Sequence, residues 1–283
     1  MRNVAWTISN LCRGKPAPQF ELFSSCIEVM CKTAMENDNE DILIDCCWAI
    51  SYISDSGVKA IPRLLKTGIV SRLVTLLSHN NVAIGVAALR SIGNIVTGSD
   101  EQTEAVINAG VLKYFDALLD STEKSVRKEV CWALSNITAG SSTQIEKVMQ
   151  TDIFRKLVHM VHNDEMDIKK EASWVLSNAT AGAEPPQIAF LVNINVLQAL
   201  CRMLKVNDAR VLAVVLEGIT HVLTHGKKSF MKNNENTFAT IVDECGALDN
   251  LENLQRHPNQ QIYDKVTIIL WTSLLSCSFC CRR

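Results

Sequence analysis

The residues with the most chemistry to offer recur as a set. Glu129, Trp132 and Asn136 return as Glu171, Trp174 and Asn178, each 42 positions further on. An asparagine amide carries both donors and acceptors, so a column of asparagines can bond the backbone of an extended peptide. An indole face holds the aliphatic stem of Lys or Arg and gains roughly 0.5–2 kcal/mol from its charge. Carboxylates beside such slots, at Asp45, Asp55, Asp100, Glu129 and Glu171, complement the charged tips. The ligand this chemistry selects is an extended, basic peptide.

Other chemistries find little support. His159, His162, His221 and His225 show no nucleophile–base spacing, no Gly-rich phosphate loop and no zincin pattern. The chain therefore reads as a non-enzyme that needs no cofactor. Cys277, Cys280 and Cys281 supply two or three metal ligands where structural zinc wants four. The apolar run from Val266 to Cys281 is shorter than the ~20 residues of a membrane span. A net charge of -2 gives no general pull toward nucleic acid or anionic lipid. Most of the 11 cysteines are scattered through apolar helical patterns, as at Cys12, Cys46, Cys131 and Cys201. They read as buried thiols of a reducing compartment.

The elements that position the set follow from its period. Its tryptophan column runs Trp6, Trp48, Arg90, Trp132, Trp174, Glu217. Four places later stand Asn10, Tyr52, Asn94, Asn136, Asn178 and His221. A glycine follows each, from Gly14 and Gly57 to Gly226, and a further column of Gly68, Gly110, Asp152, Asn195 and Gly246 marks turns that tolerate left-handed backbone. A repeat near 42 residues with helical patterning alone predicts an all-α, right-handed superhelical solenoid. Three helical segments per period favour armadillo units over two-helix HEAT units.

A helical wheel separates two stripes. Val126, Val130, Ala133, Leu134 and Ile137 form a core face, with Glu129, Trp132 and Asn136 roughly 90° away. Ile168, Ala172, Val175, Leu176 and Ala179 stand in the same relation to Glu171, Trp174 and Asn178. Ile84, Ala88, Ile92 and Ile95 stand so to Ala87, Arg90 and Asn94. Each unit is thus expected to turn its Trp–Asn flank the same way.

The pattern divides the chain into a partial repeat at 1–15 and full repeats at 16–57, 58–99, 100–141, 142–184 and 185–227. A flexible loop is expected at 228–238, then a divergent repeat at 239–276 and a Cys-rich tail at 277–283.

The segments Trp-Thr-Ile-Ser-Asn-Leu-Cys-Arg-Gly (6–14), Cys-Trp-Ala-Ile-Ser-Tyr (47–52), Ala-Leu-Arg-Ser-Ile-Gly-Asn-Ile-Val-Thr-Gly (88–98) and Trp-Ala-Leu-Ser-Asn-Ile-Thr-Ala-Gly (132–140) resemble importin-α (karyopherin-α). So do Glu-Cys-Gly-Ala-Leu-Asp (244–249) and Leu-Gln-Arg-His (254–257), and the resemblance runs in register from about residue 2 to 265. It implies a nuclear-import adaptor, found in cytoplasm and nucleus, that binds proteins carrying basic nuclear localisation signals. By resemblance Trp6 and Asn10 close the major peptide site, and Asp45, Trp48, Tyr52, Asp55 and Arg90 line the stretch between sites. The minor site then holds Asn94, Asn136 and Asn178 as backbone clamps, Trp132 and Trp174 as slots, and Glu129 and Glu171 as acids. Val96, Thr97 and Ser135 match neighbouring contact positions. The chain opens inside the pattern, which reads as a truncated form lacking the importin-β-binding segment and the first repeats. Importin-β is then not an expected partner, and an export receptor for recycling is left open. The alternative is an armadillo scaffold unconnected with import.

Overall fold

The computed structural model describes residues 2–14, 18–57, 59–232 and 235–274. The Cys-rich tail at 277–283 lies outside the described residues.

Beyond the first helix, helices come in threes, the third the longest of each. After α1 (Arg2–Cys12) follow α2 (Phe20–Phe23), α3 (Cys26–Glu36) and α4 (Glu40–Asp55), then α5 (Ala60–Lys66), α6 (Ile69–Leu76) and α7 (Val82–Ile95). Next stand α8 (Asp100–Asn108), α9 (Val111–Leu118) and α10 (Lys124–Thr138), then α11 (Ser142–Met149), α12 (Ile153–Asn163) and α13 (Met166–Gly182). The last units are α14 (Pro185–Asn193), α15 (Val196–Arg202) and α16 (Ala209–Ser229), then α17 (Thr237–Glu244), α18 (Ala247–Leu254) and α19 (Gln260–Ile268). This is the all-α array of three-helix, armadillo-type units that the period predicts.

The chain forms two compact units, divided at Ile137 and Thr138 inside α10. In the first, α1 packs on α4 and α4 on α7. In the second, α13 packs on α16 and α16 on α19. The core stripes are where the wheel puts them: Val130, Ala133, Leu134 and Ile137 are buried, as are Ile168, Ala172, Val175, Leu176 and Ala179. Cys12, Cys46 and Cys201 lie in the core, where burial pushes their thiols up to about 11, about 12 and about 12. Thiols held so high are inert at neutral pH.

Local signals start and stop the helices. Side chains of Asn39, Asn81, Asp208 and Asn259 accept backbone N–H groups at the starts of α4, α7, α16 and α19. Ser99 with Gln102, Ser141 with Gln144, and Glu184 with Gln187 form capping boxes at α8, α11 and α14. Such reciprocal bonds satisfy donors that a helix start leaves unpaired.

Two expectations need correction. Of the turn column, Gly68, Gly110, Asn195 and Gly246 adopt left-handed backbone, but Asp152 has φ −88°. A Cβ makes the left-handed conformation cost about 1–2 kcal/mol. The turn closes here without it, helped by a bond from Ile153 N–H to Thr151 Oγ1 at 3.3 Å. The flexible loop expected at 228–238 holds regular structure among its described residues. Helix α16 continues to Ser229, and Met231–Lys232 pairs antiparallel with Glu235–Asn236. Lys227 and Lys228 in the last turn suit the negative end of the helix dipole. Asn236 then ties the hairpin down: Nδ2 donates to the Leu223 carbonyl at 2.9 Å, and Oδ1 caps α17 through Phe238 N–H at 3.1 Å. The rings of Phe230 and Phe238 pack with centroids 4.9 Å apart.

Candidate functional site

The predicted residues lie on α1, α4, α7 and α10 and the turn after α7 in the first unit, and on α13 in the second. In the first unit, α10 presents Glu129, Trp132, Ser135 and Asn136, all half-buried and off the core stripe. The Trp132 carbonyl accepts from Ser135 Oγ at 2.8 Å and from Asn136 Nδ2 at 3.1 Å. These bonds hold both side chains on the helix surface. The Asn136 amide can do more, because it has a second N–H and a carbonyl oxygen. Asn10 repeats the geometry on α1, donating to the Trp6 carbonyl at 2.9 Å. Trp6 is the most open of the four tryptophans in the column, 59% exposed.

The seat of Trp132 is made by α7. Gly93 lies so close that a Cβ there would stand 2.8 Å from Trp132 Cε3, with another ring atom nearer still. Arg90, one turn earlier, sets its guanidinium carbon 5.6 Å from the Trp132 ring centroid. Arg90 Nε lies 2.7 Å from Glu129 Oε1. Neither contact is announced by composition or period. The signals that could have found them are the arginine in a tryptophan column and a glycine inside a helix, directly before the asparagine column.

Asn94 departs from its column. It is buried, and its Nδ2 donates to the Ser51 carbonyl at 3.0 Å and to Ser54 Oγ at 3.1 Å. It therefore braces α7 against α4, and the carbonyl oxygen is what it has left for a ligand. Val96 is buried as well, while Thr97 is exposed and its Oγ1 donates to the backbone carbonyl of Asn94 at 2.7 Å.

On α4, Trp48 and Tyr52 stack on each other, centroids 5.9 Å apart at 25°. Both are half-buried, Asp55 is exposed, and Asp45 is half-buried. Burial pushes the Asp45 carboxyl up, Arg2 pulls it back, and Asp41 raises it further.

In the second unit, α13 presents Glu171, Trp174 and Asn178, again half-buried. Beside them, α13 bonds to α16. Ser177 Oγ donates to the Val214 carbonyl at 2.6 Å, and Thr180 Oγ1 lies 3.2 Å from His221 Nδ1. Gly218 admits this approach, since a Cβ there would stand 2.8 Å from Ser177 Oγ. Burial lowers the pKa of His221 and outweighs the nearby Glu217.

Among the described residues no group of side chains is arranged to hold a metal ion, and no single helix is long and apolar enough to cross a membrane.

Comparison with known proteins follows the same lines. Residues 99–139 match the Armadillo/beta-catenin-like repeat and residues 236–272 the Atypical Arm repeat. Importin subunit alpha-3 of Arabidopsis thaliana is 43% identical over 276 residues, covering 96% of this chain and 52% of that protein. Importin subunit alpha-B of Dictyostelium discoideum is 52% identical over 274 residues, covering 97% and 53%. The chain spans about half the length of the curated relatives it matches. Among solved structures, the designed armadillo repeat protein YIII(Dq.V1)4CPAF in complex with peptide (KR)4 is similar at a TM-score of 0.76 and 27% identity. That match covers 86% of this chain and 98% of the other. An engineered protein with a TM-score of 0.83 and 21% identity shares the fold.

Proposed function

We propose that this chain, which over nearly all its length is an importin-α homologue built of armadillo repeats, works as a nuclear-import adaptor. It binds Lys/Arg-rich localisation signals in extended form and moves between cytoplasm and nucleus. The observation that carries this reading is the seat on α10. Arg90 lies over Trp132 with its Nε on Glu129, so a guanidinium already sits against this ring and acid. The second unit repeats the same three residue types at the same spacing in Glu171, Trp174 and Asn178. The designed armadillo protein of similar fold is described with a basic peptide, (KR)4, which adds support.

Each residue has a role. Asn136 and Asn178 bond the peptide backbone, Trp132 and Trp174 take the stems of basic side chains, and Glu129 and Glu171 attract their tips. Trp6 and Asn10 offer a further seat of the same kind on α1. Asn94 contributes through its carbonyl oxygen at most.

The double variant Asn136→Ala with Asn178→Ala tests this assignment. Two net hydrogen bonds of about 1 kcal/mol each predict roughly thirtyfold weaker binding of a basic peptide. Helicity by circular dichroism stays as it is. Unchanged affinity would remove the asparagines from the binding surface.

A further inference from the structure

Arg90 stands where the column carries tryptophan at Trp6, Trp48, Trp132 and Trp174. It does more than leave a gap. Its guanidinium lies against the Trp132 ring, and its Nε pairs with Glu129. The Glu129 side chain is only 15% exposed, whereas that of Arg90 is 50% exposed. The acid is held largely out of water, which strengthens its hold on any cation placed beside it. The arginine remains half in solvent and has somewhere to go when displaced. Ring, acid and cation are the parts a bound basic side chain would need, and the chain supplies all of them itself.

We propose that Arg90 is a built-in pseudo-ligand. It fills the Trp132–Glu129 slot of the free protein, and a peptide's Lys or Arg enters that slot only by displacing it. The inference rests on the basic-peptide reading above and names a specificity determinant within it. The slot gives less net affinity than an unfilled one, because the incoming cation takes over interactions that Arg90 must first give up. A peptide with a neutral residue at that register leaves Arg90 in place and loses little.

The probe is a fluorescein-labelled octapeptide of alternating Lys and Arg, titrated by anisotropy. It is added to the chain, to Arg90→Ala, to Trp132→Ala and to the double variant. Arg90→Ala binds roughly fivefold tighter, the scale of one cation–π contact and one exposed ion pair relieved. The gain disappears when Trp132 is also removed, which separates an opened slot from the mere loss of a positive charge. If the chain binds the peptide and Arg90→Ala binds it no better, or the gain persists without Trp132, this proposal falls alone. If no form binds the peptide, the basic-peptide reading falls and takes this proposal with it. Should Arg90→Ala lose helicity, Arg90→Gln serves in its place with the same expected gain.

Discussion

Asn94 and Asn136 occupy the same column, yet they do different work. Asn94 Nδ2 bonds the Ser51 carbonyl and Ser54 Oγ on α4, whereas Asn136 Nδ2 bonds its own helix at the Trp132 carbonyl. Removing Asn94 breaks two buried hydrogen bonds between α7 and α4, at a cost of about 0.5–1.5 kcal/mol each, while Ser54 Oγ and the Ser51 carbonyl keep their mutual bond. Removing Asn136 strands nothing buried. Asn94→Ala should therefore lower the midpoint of a urea melt clearly, while Asn136→Ala shifts stability by less than about 0.5 kcal/mol. Equal shifts would mean that the two asparagines share one role. The sequence makes the column legible, because a wheel gives each side chain its direction. It does not make the distance to the next helix legible. That distance depends on Ser51 and Ser54 being small and buried, which lets α7 come close enough for Asn94 to reach across.

At the scale of elements, the contact between α7 and α10 turns on Gly93. Alanine there would gain about 1 kcal/mol of helix propensity but would drive a Cβ into the Trp132 ring. Overpacking of that kind typically costs about 1–3 kcal/mol. Gly93→Ala should lower the melting temperature and change Trp132 emission, read against Trp132→Phe as the blank. A variant more stable than the parent, with unaltered emission, would show that the ring does not rest there. The three-helix rhythm is readable from the period, and the core stripes of α10 and α13 from the wheel. The capping boxes are readable too, as Ser-x-x-Gln at 99–102 and 141–144. What cannot be read is the regular structure of the described residues within 228–238. A Lys- and Asn-rich run looks like loop until Asn236 finds the Leu223 carbonyl and caps α17. That bond joins residues whose proximity no local pattern encodes.

At the scale of the molecule, the net charge is -2, so no overall field draws in a basic ligand. On the proposed reading, attraction comes from carboxylates placed beside the rings, such as Glu129 and Glu171. Affinity for a basic peptide should then fall with salt, yet only modestly, because Glu129 is largely shielded from solvent. The chain spans about half the length of the relatives it matches, and each of its two units carries one Glu–Trp–Asn cluster. The most direct test of basic-peptide recognition is an anisotropy titration of this chain with two labelled octapeptides, one of Lys and Arg, the other of Asp and Glu. The expected result is saturable binding of the basic peptide and none of the acidic one at the same concentrations. Preference for the acidic peptide, or binding of neither, would contradict it.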